Sequence, residues 1–524
     1  MPAPNTRAGH ASAPEYDLVV IGSGFGGSMA AAPAVFAGRR VLMIESGDWV
    51  ARGPHNWGPG GMSETTPYYS REAAYEVAAG GYGRELGAYT CVGGASIFYG
   101  GVALRLREQD FEPYPEIDGD SGARWPYAYA DLEPCYAEAE TLLQIAGTTG
   151  EDPTEPPRSA GYPQAPGPLA PISARIAEAA RALGLHPFRL PLAINYGTAN
   201  GRTPCAACST CDGFACAVQA KNDLSVVMVP RLQRAGMHLA VHTTALRLEH
   251  QGGRVTGVVC AERGSGTTVT YRGKTVVVAG GALATPRLLL ASGLDHVNPA
   301  GHAIGRYLMR HCNAVVMGGF LSRPAPNREF HKQIGIHDFY FGHPGVSRPT
   351  GRIGCLQQFG TPEPAIVRDY LPLGLGRLVA LIVSHTTGFI VMAEDRPQAD
   401  NRIELTGPAP AADRLPPARV THRYDPRDLA ARAALVRAAR RILRKAGALK
   451  TYAHPIRTFS HALGTVRMGT DPATAPLDEW GAFRGLENLY VTDASALPRS
   501  GGVNPSLTIA ANALRTGRRL LETL

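Results

Sequence analysis

The chain has 524 residues, 18 % of them charged, with a formal charge of +8 and 44 % hydrophobic residues. That length allows one to four domains with a large core, and its 61 Gly and 42 Pro are dispersed, which excludes a fibrous or low-complexity chain. The positive balance is spread without a long basic tract, which argues against a nucleic-acid binder.

Residues 1–14 read as a disordered lead without an apolar signal region, so the expected location is cytoplasmic and the nine Cys are expected to be mostly reduced. The apolar run Asp17–Ile21 then reads as a buried strand. It ends in the turn Gly22-Ser23-Gly24-Phe25-Gly26-Gly27, which opens a small-residue helix. A second run, Val41–Ile44, ends in Glu45. This is a βαβ dinucleotide cradle. Its glycines let backbone approach a pyrophosphate, the helix N-terminus supplies N–H groups, and Glu45 is placed to accept from ribose hydroxyls. Pro33 falls inside the helix, which predicts that the helix is short, bent or ends early.

Residues 53–101 hold too few periodic apolar residues to predict regular elements, although Val92-Gly93-Gly94-Ala95-Ser96 reads as a loop on which a flat ligand lies against backbone. A helix is predicted from Asp131 to Ile145 and a Pro-rich connection over 147–171. Strands follow at Leu239–Leu248 and Val255–Cys260. The run Thr275–Val278, ending at Gly280-Gly281 and feeding a helix over Ala284–Ala291, reads as a second strand of the cofactor sheet. Between 320 and 455 the pattern predicts a separate antiparallel sheet, with strands at Leu378–Val383, Ile390–Met392, Arg402–Leu405 and Ala418–Tyr424. A basic helix covers it, and its Arg437, Arg440, Arg441, Arg444 and Lys445 read as a solvated face. No apolar stretch is long enough to span a bilayer.

The last 65 residues narrow the cofactor. They hold Ser460-His461-Ala462-Leu463-Gly464-Thr465-Val466-Arg467-Met468-Gly469, then Tyr490-Val491-Thr492-Asp493-Ala494-Ser495, then Ser500-Gly501-Gly502-Val503-Asn504-Pro505-Ser506. With the N-terminal cradle and Gly281-Ala282-Leu283-Ala284-Thr285-Pro286-Arg287, the chain resembles the glucose–methanol–choline (GMC) family of flavoprotein oxidoreductases over about 16–110, 200–315 and 455–524. The resemblance implies an α/β fold: a Rossmann-like FAD-binding domain (15–110, 200–318 and 455–524) interleaved with an α+β substrate domain (111–199 and 319–454) built on an antiparallel sheet. It implies FAD held by Gly22, Gly24, Phe25, Gly27, Glu45, Gly93, Gly94, Ser96, Asp493, Ala494 and Pro505. The loop 92–100 lacks the His that tethers flavin in some relatives, so the flavin is expected to be non-covalent.

The resemblance also makes His461 and Asn504 the active-site pair. In this reading His461 takes the proton of a primary or secondary alcohol, Asn504 holds the oxygen, and hydride passes to flavin N5. Asn504-Pro505 also reads as N-cap and first residue of a helix from Ser506 to Leu521. His311, His385 and His454 carry no motif and read as ordinary, and Tyr99 reads as a pocket or packing aromatic. Cys205, Cys208, Cys211 and Cys216 are spaced C-x2-C-x2-C-x4-C. Three readings stay open for them: free thiols or loop disulfides, a zinc site, or an iron–sulfur cluster. The partners expected are a small-molecule alcohol and an electron acceptor, either dioxygen or a quinone or protein. Arg323, His331, Lys332, His337, Arg348, Arg352 and His385 lean the substrate toward a sugar, glycoside or other polyol over a sterol or aryl alcohol. A flavin-bearing lyase and an electron-transfer subunit are the alternatives.

Overall fold

The computed structural model describes residues 15–524 except 59–60, 63–65, 79–84, 199, 265, 325–331, 343–350, 362–363 and 365–372; the expected disordered lead, His331 and Arg348 lie outside the described residues. Its centre is a five-stranded parallel sheet in the order β18 (Leu489–Val491), β10 (Gly273–Val278), β1 (Tyr16–Ile21), β2 (Val41–Ile44) and β6 (His238–Ala240). The strands are read from five distant stretches, because a parallel sheet covered on both faces needs near-continuous apolar runs and these runs supply them. Leu18, Val19 and Val20 are fully buried, and Val19 lies between Val276 and Leu42. The first helix (Phe25–Phe36) packs on the last (Ser506–Leu521), and small side chains set that spacing: a Cβ on Gly517 would lie 2.5 Å from the Ala30 carbonyl oxygen. Pro33 sits in this helix, which ends three residues later.

The second layer is a six-stranded antiparallel sheet in the order β17 (Lys450–Pro455), β11 (Cys312–Gly319), β14 (Thr386–Ala393), β13 (Gly354–Phe359), β12 (Ile334–Ile336) and β5 (Phe188–Arg189). The helix Pro426–Lys445 covers it with Leu435, Ala439, Ile442 and Leu443, which share a core with Val316, Phe389 and Val391. Arg437, Arg441, Arg444 and Lys445 are exposed, a solvated face as the spacing predicts.

Four sequence expectations are corrected. Residues 53–101 do hold regular structure: β3 (Tyr69–Ala78) and β4 (Glu85–Tyr89) pair, and β3 is joined in parallel by β16 (Ala418–Thr421), with β15 (Arg402–Leu405) outside it. The strands β15 and β16 therefore belong to this four-stranded sheet and not to the six-stranded one. Leu378–Val383 is not a strand but the end of a helix, Leu373–Val383; a short apolar run with Val and Ile does not separate helix from strand by periodicity. Leu239–Leu248 is two strands, β6 and β7 (Thr243–Gln251), broken where His242 takes φ +51°. β7 continues into an antiparallel sheet with β8 (Arg254–Glu262) and β9 (Thr268–Tyr271). Among the described residues, no helix is long and apolar enough to cross a membrane.

Candidate active site

The cradle begins at the carboxyl end of β1. Gly22 takes φ +102°, and a Cβ there would lie 2.3 Å from the Ala279 carbonyl oxygen; a Cβ on Gly27 would lie 1.9 Å from that of Gly22. Gly24 is different, since its nearest neighbour is the Gly93 oxygen at 4.0 Å. Gly94, at φ +55°, faces Gly24 at 3.6 Å from Cβ to Cα, so two bare backbone surfaces confront each other. The confrontation is pinned by Ser23, whose hydroxyl donates to Glu45 at 2.6 Å and accepts from Gly93 N–H at 2.8 Å. Glu45 also accepts from Gly47 N–H at 3.0 Å and is buried, which raises its pKa against the pull of those hydrogen bonds. Ser96 closes its own loop, donating to the Gly93 carbonyl at 2.6 Å and accepting from Leu224 N–H at 3.1 Å. Phe25 packs edge-on to Tyr99, ring centroids 5.5 Å apart, and Tyr99 hydroxyl donates to the Asn222 carbonyl, so Tyr99 is a packing residue.

At the carboxyl end of β18, on the same end of the parallel sheet, the Asp493 carboxylate spends its capacity inside the protein. It accepts from Gly281 N–H (2.8 Å), the Thr285 hydroxyl, and Ser495 N–H and hydroxyl (2.8 and 2.5 Å). The backbone N–H groups of Asp493 and Ala494 make no hydrogen bond among the described residues and remain available to an anion. Bare glycine backbone, a buried acid at the end of β2 and unspent N–H groups at the end of β18 fit an extended dinucleotide such as FAD.

The four clustered cysteines do not form a centre. All are free thiols, and no group of three or more His, Cys, Asp or Glu among the described residues is arranged to hold a metal ion, so the zinc and iron–sulfur readings are corrected. Burial pushes the Cys205 thiol up to about 11 and Cys211 higher still. What the segment supplies is backbone. The buried Lys221 ammonium donates to the carbonyls of Tyr99 (2.8 Å), Cys211 (2.9 Å) and Phe214 (2.7 Å), and Gly213 N–H donates to Phe98 O. Residues 205–221 thereby brace the loop 93–100. Nothing in the structure explains why four of these positions are cysteine.

His461 lies on the segment after β17. Leu463 and Met309 exchange N–H···O bonds at 2.9 and 3.0 Å, an antiparallel bridge whose register sets residue 311 opposite residue 461. The rings of His311 and His461 meet edge to face with centroids 5.1 Å apart, and their Nδ1 atoms are 3.2 Å apart. His311, read as ordinary from the sequence, is thus a site residue; no local sequence signal marks it, because its partner is fixed by a bridge 150 residues away in the chain. His461 is half-buried, and its pKa is held down to about 3 by burial first, then by His311 and Lys332, against Asp395. Its imidazole is therefore neutral at working pH, with Nε2 making no hydrogen bond among the described residues.

Asn504 does not cap the last helix. Helix Ser506–Leu521 has the range read from the sequence, but its N-cap is Pro505, and the Asn504 Oδ1 instead accepts from Gln357 Nε2 at 2.5 Å. Gln357 is fully buried on β13 and also turns Nε2 toward the Cys355 thiol at 3.5 Å, leaving Nδ2 of Asn504 as the free donor. Loop 500–504 ties the pair together: the Ser500 and Gly501 carbonyls bind His311, and Gly502 N–H donates to Tyr340 hydroxyl at 2.9 Å.

Among the described residues that leaned the reading toward a polyol, Lys332 acts on this site, through its charge on His461 while paired to Asp212 at 2.6 Å. His337 is buried against Asp152 (2.7 Å), Arg352 lies on Tyr114 and Asp110, and His385 binds the Leu321 carbonyl at 3.0 Å. His337, Arg352 and His385 therefore serve internal pairing.

Comparison with known proteins agrees with the geometry. Residues 85–313 and 397–513 match the N-terminal and C-terminal parts of GMC oxidoreductase. Paromamine 6'-oxidase of Streptomyces fradiae is 33 % identical over 533 residues, covering 97 % of this chain and 92 % of that one. The 6'''-hydroxyparomomycin C oxidase of Streptomyces lividus is 32 % identical over 529 residues, with the same 97 % and 92 % coverage. A solved formate oxidase variant from Aspergillus oryzae RIB40, studied for FAD modification, superposes with TM-score 0.65 at 14 % identity over 98 % of this chain and 99 % of its own. Two matched segments and two near full-length relatives, on a sheet and cradle of this form, establish that the chain belongs to the GMC oxidoreductase family and is an oxidoreductase of CH–OH groups.

Proposed function

We propose that this protein oxidises a primary or secondary hydroxyl of a sugar, glycoside or other polyol, with FAD bound non-covalently between the two glycine surfaces. Family membership and the FAD-bearing fold neighbour support the cofactor. The two aminoglycoside oxidases support a sugar-like substrate, and their activity supports dioxygen as acceptor over a quinone or protein. In this reading Gly22, Gly24, Gly27, Gly93 and Gly94 give the flavin nucleotide access to backbone, Phe25, Ser96 and Pro505 shape its loops, Glu45 binds at the ribose, and the N–H groups of Asp493 and Ala494 bind at the pyrophosphate. When bound, the flavin supplies the acceptor for a hydride.

The observation that carries the reading is the neutral His461 with an unspent Nε2 beside the loop that presents Asn504. Nε2 takes the hydroxyl proton, and Nδ2 of Asn504 donates to the oxygen as negative charge develops there. No group of three or more His, Cys, Asp or Glu among the described residues is arranged to hold a metal ion, so the electron-transfer subunit reading has no support, and no feature of the site favours a lyase. Anaerobic titration of the purified flavoprotein with sugars, aminoglycosides and aryl alcohols tests the proposal. Bleaching of the flavin band by a sugar class, reversed by air, is expected; a flavin spectrum unmoved by every alcohol overturns it.

A further inference from the structure

The His311 ring is fixed on every side. Its backbone N–H donates to Asp395 Oδ1 at 3.1 Å and its carbonyl accepts from the Tyr424 hydroxyl at 2.8 Å. Its Nε2 lies 3.1 Å from both the Ser500 and Gly501 carbonyl oxygens. The residue takes φ +59°, a left-handed conformation that costs a non-glycine residue about 1–3 kcal/mol and persists only where the surroundings impose it. A histidine held in strain, buried to 1 % exposure and with both ring nitrogens engaged, is more than filling.

The proton positions follow from the partners. A carbonyl oxygen only accepts, so Nε2 of His311 carries a proton. Burial holds the His311 pKa below the ordinary value, against the charges of Asp395 and Glu394, so the ring is neutral and its Nδ1 is a bare lone pair. The atom facing that lone pair, Nδ1 of His461 at 3.2 Å, must then be the donor. A neutral His461 protonated on Nδ1 has its lone pair on Nε2.

We propose that His311 is a positioning residue for alcohol oxidation: by accepting from Nδ1–H of His461 it holds that ring in the one tautomer whose Nε2 accepts the substrate proton. The proposal rests on the reading of His461 as the base. In the step it serves, the substrate O–H breaks with its proton going to Nε2, and the C–H breaks with its electron pair going to the flavin as oxidant. The carbonyl product forms, and His461 becomes an imidazolium that still donates through Nδ1 to His311. The relay ends on the Ser500 and Gly501 carbonyls, which belong to the loop that carries Asn504, so base and oxygen-holder are aimed from one scaffold. Removing a residue that enforces a tautomer is known in general to cost orders of magnitude in turnover.

The test compares His311→Leu, which has no acceptor, with His311→Asn, whose Oδ1 keeps an acceptor near the Nδ1 position. His461→Ala is the control, and flavin content is checked in each. Expected is a loss of at least tenfold in kcat for His311→Leu, KM within about threefold, and substantial rescue in His311→Asn. Equal loss in both variants with flavin retained shows that His311 only packs, and overturns the proposal. Wild-type turnover in His311→Leu with a dead His461→Ala also overturns it and leaves the base reading standing; full turnover in His461→Ala sinks the base reading itself. Nitrogen NMR of the 15N-histidine-labelled wild-type holoenzyme reads the tautomer without any variant: a protonated Nδ1 and bare Nε2 on His461 are expected, and the reverse refutes the relay even if the variants fail to fold.

Discussion

The depressed pKa of His461 makes a quantitative prediction about the acid side of catalysis. An ordinary imidazole of pKa 6.5 is only about 3 % in the basic form at pH 5, whereas one held at about 3 is about 99 % basic, a difference of roughly thirtyfold in active enzyme. Burial sets most of this value; His311 across the bridge and Lys332 paired with Asp212 lower it further, and Asp395 opposes them. The profile of kcat/KM against pH reports the free enzyme. It is expected to stay flat from neutrality to below pH 5 and to fall only under it. Lys332→Gln removes a positive charge and leaves Asp212 unpaired, so both changes favour the imidazolium and move the acid limb to higher pH. An acid limb near 6.5 in the native enzyme, or a limb that moves to lower pH in Lys332→Gln, refutes the reasoning.

Gly24→Ala and Gly27→Ala separate cofactor space from fold: nothing lies within 4.0 Å of a Cβ on Gly24 except the Gly93 oxygen, so this variant keeps the apoprotein melting temperature but loses flavin on dilution. Gly27→Ala meets the Gly22 carbonyl at 1.9 Å and lowers both, by about 1–3 kcal/mol of stability, read by thermal melts beside flavin absorbance. Lys221→Met strands three carbonyls under loop 93–100 and costs about 3 kcal/mol or more, with flavin lost first in equilibrium dialysis. Asp428, buried at the start of the basic helix, has its pKa raised from 3.8 to about 8 mainly by burial. The unfolded chain ionises this group well below neutrality while the folded chain keeps its proton, so its contribution to stability falls as pH rises from about 4 to about 8. Asp428→Asn is expected to raise the melting temperature at pH 8 and leave it nearly unchanged at pH 4; equal shifts at both values refute the assignment.

The parts of the fold carried by local pattern were legible. The run Asp17–Ile21 before Gly22, and Thr275–Val278 before Gly280, needed only their own apolarity to be read as neighbours in a buried parallel sheet, and they pair in register. The pair Tyr69–Ala78 and Glu85–Tyr89 was not legible, since its strands alternate poorly and are completed by Ala418–Thr421, more than 300 residues on. The Leu378–Val383 run failed for the opposite reason: its apolarity is strong, but a short run with Val and Ile fits a strand as well as a helix. The cysteine spacing misled because a spacing states which ligands are close in sequence, while the segment turns its carbonyls, not its thiols, toward the one buried cation it serves.

The site divides in the same way. His461 and Asn504 stand in motifs, and the residues that aim them do not. Gln357 reaches Asn504 because β13 lies in the substrate sheet, and His311 reaches His461 because Met309 pairs with Leu463. Each aiming residue therefore comes from a stretch that also builds the antiparallel sheet: Gln357 within β13, His311 one residue before β11. That arrangement has a consequence for how the enzyme changes substrate. On the proposed reading, in which the antiparallel sheet forms the substrate domain, a repacking of that sheet that admits a larger sugar also moves Gln357 or His311. Variants selected for new substrates on this scaffold should then lose kcat as well as gain affinity unless these two side chains keep their bonds, and the lengths of the His461–His311 and Asn504–Gln357 contacts in such variants decide the matter.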